Sequence, residues 1–179
     1  MEIIASPFHE CFLLKPRIIE DERGYFFESY NHQKFEAVTG LSVNFVQDNQ
    51  SFSSYGVIRG LHSQVSEHAQ AKLVRVLKGE VLDVVVDARK GSATYGEAYT
   101  VRLSEENKLQ LFVPRGFYHG FAVLSETAEF FYKCDNFYNK EAERGVHYAD
   151  PSLNIDWLIQ KEDRIITEKD LSLPLFEGK

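Results

Sequence analysis

Four short segments of the chain carry side chains that could move a proton beside a carbonyl group. His62 ends the string Arg59-Gly60-Leu61-His62, and His119 lies in a turn rich in proline and glycine. Lys72 begins the run Lys72-Leu73-Val74-Arg75, and Tyr132 precedes a lysine in a run of aromatic residues. A histidine base, a tyrosine acid and a lysine beside the developing oxyanion would together suit proton abstraction next to a ketone. Singly, each residue type is more often structural.

The elements that must position these groups are predicted to be short β-strands. In Val81 to Val86 the even positions are all apolar, whereas Asp83 interrupts the odd face. Short strands at this spacing, joined by turns, indicate a sandwich or barrel whose interior offers a ligand pocket. The predicted strands are Tyr25 to Phe27, Val43 to Val46, Lys72 to Leu77, Glu80 to Asp87, Tyr99 to Leu103, Leu109 to Val113, Gly120 to Leu124 and Glu129 to Cys134.

Helices are expected to be few and peripheral. One short helix is predicted after Tyr30, with Asn31 as its N-cap and Gly40 as its C-terminal stop. From about residue 150 the pattern is less regular, with one helical turn expected around Thr167 to Leu171. The length of 179 residues fits a single domain spanning 1–179. The sequence therefore predicts an all-β, jelly-roll-like barrel with short peripheral helices.

Composition excludes several classes of partner. The net charge of −7 argues against nonspecific binding to nucleic acid, which requires a basic surface. No apolar stretch approaches the ~20 residues of a membrane-spanning helix. The two cysteines, Cys11 and Cys134, provide no disulfide framework and favour a reducing compartment. We therefore expect a soluble cytoplasmic protein without a membrane partner.

Ten strings in order along the chain resemble those of the dTDP-4-dehydrorhamnose 3,5-epimerase family, nucleotide-sugar epimerases of the cupin superfamily. No single string is specific, but their shared order is. The strings are Asp21 to Tyr30, Phe45 to Asn49, Arg59 to His62, Lys72 to Arg75, Gly79 to Val84, Pro114 to Phe121, Leu124 to Glu129, Tyr132 to Cys134, Glu143 to Gly145 and Glu168 to Asp170.

The resemblance implies a role for each matching residue. His62 corresponds to the general base, Tyr132 to the general acid, and Asp170 to the carboxylate that pairs with the histidine. This pairing would require the tail from about residue 150 to fold back over the barrel. Lys72 and His119 match residues lining the sugar pocket, and Tyr138 matches an aromatic residue that stacks on the nucleobase. The remaining matches to nucleotide-sugar contacts are Arg23, Glu28, Gln47, Asp48, Asn49, Arg59, Glu143 and Lys169.

The family's chemistry suits these residue types. A ketone at C4 acidifies the protons at C3 and C5, and removing either gives an enolate that Lys72 would stabilise. Inversion needs an acid on the ring face opposite the base. The resemblance implies a dTDP-4-keto-6-deoxyhexose substrate, a homodimer, a cupin-type barrel, and catalysis without metal, nicotinamide or other cofactor.

One departure from the family's strings and three alternative functions stay open at this point. Ser63 stands where family members commonly carry Tyr or Phe, and a smaller side chain beside the base is expected either to widen the pocket or to loosen the packing of the imidazole ring. A 3- or 5-mono-epimerase acting on a related nucleotide 4-keto sugar would share nearly all the matched residues. A metal-dependent cupin would need ligands such as His62, Glu67 and His119, although Gln64 replaces the second histidine of the usual His-x-His pair. A non-catalytic sugar-binding cupin is the third.

Overall fold

The computed structural model describes residues 1–177 and is built mainly of antiparallel strands. Within these residues, no helix is both long and apolar enough to cross a membrane. The strands are β1 (Glu2–Phe8), β2 (Cys11–Lys15), β3 (Ile19–Asp21), β4 (Gly24–Phe26), β5 (Gln47–Ser54), β6 (Ile58–Gln64), β7 (Lys72–Lys78), β8 (Glu80–Asp87), β9 (Ala98–Ser104), β10 (Gln110–Val113), β11 (Phe117–Val123), β12 (Thr127–Cys134) and β13 (Glu143–Gly145). The helices are α1 (His32–Thr39) and α2 (Glu168–Leu171), with 3-10 turns at Ser66–His68 and Lys161–Asp163.

Two large sheets face each other across the main core. One has six strands in the order β1-β2-β10-β7-β12-β5, and the other has five in the order β13-β6-β11-β8-β9. Apolar side chains from both sheets, such as Val74, Val85 and Phe130, form one buried cluster between them. The short β3-β4 hairpin belongs to neither sheet. The prediction of an all-β architecture with short helices is confirmed.

The outer faces of both sheets are also covered, and this explains why several strands are apolar on both sides. Val81 and Val85 of β8 join the core between the sheets, whereas Leu82, Val84 and Val86 pack with the C-terminal segment outside. Side chains on alternate faces of one strand can serve two cores only where both faces are buried. Asp83 therefore points, with Val81 and Val85, toward the interior.

Helix α1 covers the six-stranded sheet and begins and ends as predicted. The Asn31 side chain accepts a hydrogen bond from the Lys34 backbone N–H at 3.1 Å, which satisfies a free donor of the first turn. Gly40 takes the left-handed conformation, φ 73°, and its N–H donates to the Glu36 carbonyl. Phe35, fully buried, anchors the helix against the sheet.

The prediction of a strand from Val43 to Val46 is wrong. This segment is irregular, and Val43 and Phe45 pack instead beside α1 and the outer face of the sheet. The strand begins at Gln47, in the polar run Gln47–Ser54 that hydropathy did not single out. It is an edge strand whose residues alternate between the interior and solvent, and its inward residues are polar because they face a cavity.

Candidate active site

A cavity of about 610 Å³ opens between the two sheets, a volume suited to a small-molecule ligand. Strands of both sheets and the segment leading into α2 contribute to its wall. Its lining residues are Asn49, Gln50, Ser51, Val57, Ile58, Arg59, His62, Lys72, His119, Gly120, Phe121, Phe130, Tyr132, Ile165, Ile166, Thr167, Lys169 and Asp170. The four residues predicted to be catalytic all lie among them, although they come from four different elements.

His62 and Asp170 are in direct contact, as the sequence led us to expect. His62 Nε2 lies 2.7 Å from Asp170 Oδ1, and the carboxylate also accepts a 3.4 Å hydrogen bond from the Gly60 N–H. The Asp170 side chain is only 5% exposed. Burial acts to raise the pKa of Asp170, but the hydrogen bond and charge of His62 outweigh it, so this pKa lies below its ordinary value. Asp170 is therefore an anion that orients the imidazole.

The C-terminal segment reaches the cavity because its backbone is tied to the five-stranded sheet. Ile165 bridges to Val57 beside β6, donating its N–H to the Gly56 carbonyl and accepting from the Ile58 N–H. Further on, the Phe176 N–H donates to the buried Asp150 carboxylate at 2.5 Å. Between these ties, the Thr167 hydroxyl caps α2 by accepting from the Asp170 N–H. The cap fixes the start of the turn that carries the carboxylate.

Tyr132 and Lys72 reach the cavity from the sheet opposite His62. β12 pairs with β7, and Lys72 Nζ lies 5.7 Å from the centre of the Tyr132 ring. Desolvation lowers the pKa of Lys72, against the opposing charges of Cys134, Asp83 and Glu143. Desolvation also raises the pKa of Tyr132, which keeps the phenol protonated at neutral pH. The histidine and the phenol thus occupy opposite walls of one cavity.

His119 lies beside His62 because β6 and β11 approach unusually closely. The two histidines are cross-strand partners. A Cβ atom on Gly60, whose φ is 118°, would lie 2.7 Å from the Gly120 Cα and 2.8 Å from the His119 carbonyl oxygen. A residue with a side chain would force the strands apart. His119 Nε2 lies 2.9 and 3.1 Å from the two carboxylate oxygens of Asp83, which is fully buried.

Basic and aromatic side chains gather at the cavity mouth. Arg59 is exposed and leans toward β5, where its Nε donates to the Ser53 hydroxyl at 3.1 Å. Glu143 accepts from the Tyr138 hydroxyl at 2.7 Å and from Lys169 Nζ at 2.6 Å. These contacts link the loop that carries Tyr138 to α2. The Gln47 side chain supports the same loop by accepting from the Tyr138 N–H.

Comparison with known proteins agrees with this geometry. The sequence profile described as dTDP-4-dehydrorhamnose 3,5-epimerase matches residues 5–178. A dTDP-4-dehydrorhamnose 3,5-epimerase from Shigella flexneri is 49% identical over 172 residues, covering 96% of this chain and 94% of the relative. The chain belongs to the dTDP-4-dehydrorhamnose 3,5-epimerase family. It is therefore an isomerase, and the resemblance inferred from its strings is confirmed.

Solved structures of family members share the fold throughout. A dTDP-4-dehydrorhamnose 3,5-epimerase from Elizabethkingia anophelis superimposes with a TM-score of 0.95 at 58% identity, covering 99% of this chain and 97% of the other. A dTDP-6-deoxy-D-glucose-3,5-epimerase from Legionella pneumophila, in complex with dTDP-4-keto-L-rhamnose, gives a TM-score of 0.93 at 47% identity, covering 97% and 92%. The predicted cupin-type jelly roll is confirmed.

Six of the ten residues expected to contact the ligand do not line this cavity. Gln47, Tyr138 and Glu143 belong to the linked contacts described above, and the other three are paired elsewhere on the surface. Arg23, in the β3-β4 hairpin, pairs with Asp21 at 2.5 Å, and Glu28 pairs with Lys34. Both line separate surface depressions. Asp48 lies on the outer side of β5, paired with Lys133 at 2.9 Å. Within one chain, the cavity therefore has Asn49, Arg59, His119 and Lys169 as its expected binding residues.

Ser63 and Glu67 lie outside the cavity lining. Ser63 is buried and its hydroxyl donates to the Gln64 carbonyl, so its side chain forms no part of the cavity wall. Glu67 is 81% exposed and lies nearest His68, not His62. Over residues 1–177 no three His, Cys, Asp or Glu side chains group as metal ligands would.

Sequence reasoning missed the apolar wall of the cavity and the carboxylate behind it. Phe121 and Phe130 stack with ring centres 4.2 Å apart, and the His119 ring continues the stack against Phe130. Asp83 had given one signal, as the only charged residue among the apolar neighbours Val81 to Val86. The phenylalanines had given none, because core packing explains them equally well.

Proposed function

We propose that the chain inverts C3 and C5 of dTDP-4-dehydro-6-deoxy-D-glucose to give dTDP-4-dehydro-L-rhamnose, in dTDP-rhamnose biosynthesis. The observation that carries this proposal is the placement of His62 and Tyr132 on opposite walls of one cavity, since His62 belongs to β6 of one sheet and Tyr132 to β12 of the other. Epimerisation removes a proton from one face of the sugar ring and returns one to the other face. Two proton-transfer groups must therefore flank the ring.

The first step is proton removal by His62. Its Nε2 is bonded to the Asp170 carboxylate, so Nδ1 is the ring nitrogen that takes the proton from the carbon next to the C4 ketone. The imidazolium that forms is stabilised by Asp170. The electron pair of the broken C–H bond moves onto the C4 oxygen, giving an enolate. Lys72, whose ammonium lies in the same cavity, stabilises that charge.

The second step is proton return by Tyr132. Its pKa is raised by desolvation, so the phenol carries its proton into the reaction. Donation to the same carbon from the opposite wall inverts the centre, and the enolate electrons reform the ketone. The phenolate and the imidazolium then exchange protons with solvent. Inversion of the second centre repeats the sequence. Each step uses a side chain of this cavity.

The nucleotide would bind at the mouth. Arg59 is an exposed cation beside the cavity and suits a diphosphate, whose oxygens match its forked donors. Lys169 adds a second positive charge. Tyr138 is 53% exposed and lies on the loop held by Gln47, where its ring can stack on a base. Asn49 and His119 supply polar contacts to the sugar.

We also propose a homodimer in the cytoplasm. Arg23 and Glu28 match nucleotide-sugar contacts of the family but lie away from the cavity of their own chain, so they would serve the cavity of a partner. The β3-β4 hairpin exposes large apolar side chains, with Tyr25 59% and Phe26 66% exposed, as expected of a surface covered on assembly. A reducing compartment suits the two free cysteines.

Proton NMR in deuterium oxide tests the proposed reaction directly. The enzyme is mixed with dTDP-4-keto-6-deoxyglucose, and the C3 and C5 ring protons are followed with the product. Both signals should disappear as the L-rhamno product forms, and His62→Asn should prevent this. Exchange at only one carbon would replace the proposal with a mono-epimerase. A folded wild-type enzyme that exchanges neither proton would refute it.

A further inference from the structure

Asp83 is a fully buried carboxylate whose hydrogen bonds all go to one cavity residue. It lies on β8 with its side chain between the two sheets, and its exposed fraction is 0%. Over residues 1–177 its side chain is bonded only to His119 Nε2, at 2.9 and 3.1 Å. A buried carboxylate is costly unless it is paired. Unlike Asp87 on the same strand, whose partners lie in the adjoining turn, Asp83 is paired with a residue that lines the cavity.

The contact fixes which nitrogen of His119 faces the ligand. Nε2 lies within hydrogen-bond distance of both Asp83 oxygens, a geometry suited to an N–H directed between two carboxylate oxygens. No fully buried side-chain N or O atom of the described residues lacks a partner, and the ring has no other hydrogen bond there. Its Nδ1 therefore reaches the open cavity, which His119 lines.

The arrangement parallels that of the neighbouring strand. His62 and His119 are cross-strand partners on β6 and β11, and each is backed by a carboxylate from a different element. Asp170 comes from α2, whereas Asp83 comes from β8. Two imidazoles held in this way present two fixed nitrogen atoms to the same ligand.

We propose that Asp83 is a positioning residue: it holds the His119 ring in one orientation and one tautomer, with Nε2–H on the carboxylate and Nδ1 presented to the sugar. The inference rests on the proposed epimerase function for its kinetic consequence. An imidazole whose orientation is fixed before the substrate binds needs no reorganisation as charge develops in the transition state. Asp83 thus serves catalysis without touching the substrate.

The electrostatics of the buried pair are consistent with this role. Burial raises the pKa of Asp83, against the opposing influence of His119 and Lys72. The two basic neighbours thus offset part of the cost of burying this carboxylate. His119 also stacks on Phe130, which limits rotation of the ring from its other side.

Asp83→Asn tests the proposal because it keeps the shape and removes the charge. We expect kcat to fall about 10–100-fold, the usual cost of losing a histidine's orienting partner, with KM changed less than about 3-fold. The His119→Gln variant should lose kcat comparably, and the double variant should be no slower than His119→Gln alone. Multiplying effects would show that Asp83 does not act through His119, and a near-normal kcat in Asp83→Asn would overturn the proposal.

Asp87→Asn is the matched control, since Asp87 lies on the same strand, is equally buried and does not line the cavity. It should lose stability, because Asp87 accepts hydrogen bonds from Arg89, Ser92 and Thr94, but keep kcat. A loss of kcat equal to that of Asp83→Asn would assign both effects to a loosened barrel.

NMR of enzyme labelled with 15N-histidine supplies a readout independent of turnover. The His119 signals are assigned by their loss in His119→Gln. In the wild type, the Nε2–H tautomer should be found alone, and Asp83→Asn should disturb it while leaving the other histidines unchanged. A wild-type ring in the opposite tautomer would overturn the proposal even if the epimerase activity is as described. If the enzyme showed no epimerase activity, the NMR signals would still test whether Asp83 fixes the tautomer of His119.

Discussion

Asp170→Asn isolates the contribution of a carboxylate that lies 108 residues along the chain from His62, the base that we propose it orients. The substitution keeps the shape of the side chain but removes its charge. The 2.7 Å contact and the 5% exposure of the Asp170 side chain place the bond largely out of solvent, although His62 is 28% exposed. A hydrogen bond to a charged group is worth about 1.5–3 kcal/mol. This energy is lost mainly when His62 carries the abstracted proton, so it raises the barrier.

The Asn amide oxygen can still accept a hydrogen bond, so this energy is the upper limit of the loss. At about 1.4 kcal/mol per factor of ten, it slows proton abstraction by up to about 150-fold. Loss of the ring's orientation would add to this. The assay is deuterium exchange at C3 and C5 together with product formation, and both should slow equally because both require abstraction. The control is Asp163→Asn, because Asp163 is an exposed carboxylate of the same segment. Its exchange and product formation should proceed at the wild-type rate. An Asp170→Asn enzyme that folds normally and exchanges at the wild-type rate would refute the role of the pair.

Three further changes separate the other groups. Tyr132→Phe should reduce product formation more than proton exchange, because His62 can still remove a proton and return it with retention. If NMR shows that product formation and proton exchange slow equally, Tyr132 acts in substrate binding or in proton abstraction instead. Arg59→Ala should raise KM by about 10–100-fold, the loss of a charged hydrogen bond, with a smaller change in kcat; steady-state kinetics showing mainly a lower kcat would move Arg59 to the chemical step. Because the pKa of Lys72 lies below the ordinary lysine value of 10.5, its side chain loses its charge at an alkaline pH below that value. In that alkaline range kcat should fall, whereas Lys72→Arg should keep its own maximal kcat to higher pH. If kcat of the two enzymes falls at the same alkaline pH, this role of Lys72 is contradicted.

The parts of the fold that the sequence predicted well are those where one physical cause acts alone. β8 has apolar residues on both faces because both are buried, and the capping residues of α1 satisfy its end groups locally. β5 was not predicted, because its inward residues are polar and face a cavity instead of a core. Hydropathy therefore placed a strand in the apolar segment Val43 to Val46 just before it.

The site depended on non-local contacts, which spacing does not encode. Nothing in the tail's own pattern distinguishes Asp170 from an exposed carboxylate, and only the resemblance to the family placed it beside His62. The resemblance was less informative for Arg23 and Glu28, because the matched motif gave no sign that both residues lie away from the cavity of their own chain. Asp83 could have been found from its position alone.

The distance along the chain between His62 and Asp170 also sets an order of events during synthesis. At about 5–20 residues added per second, the 108 residues between them take roughly 5–20 s to translate. Both large sheets, which end at β13, are complete before the helical turn with Asp170 has been made. A nascent or clipped chain that stops short of α2 can enclose the base but leaves it without its carboxylate. Full activity of this enzyme therefore requires that translation has proceeded past Asp170.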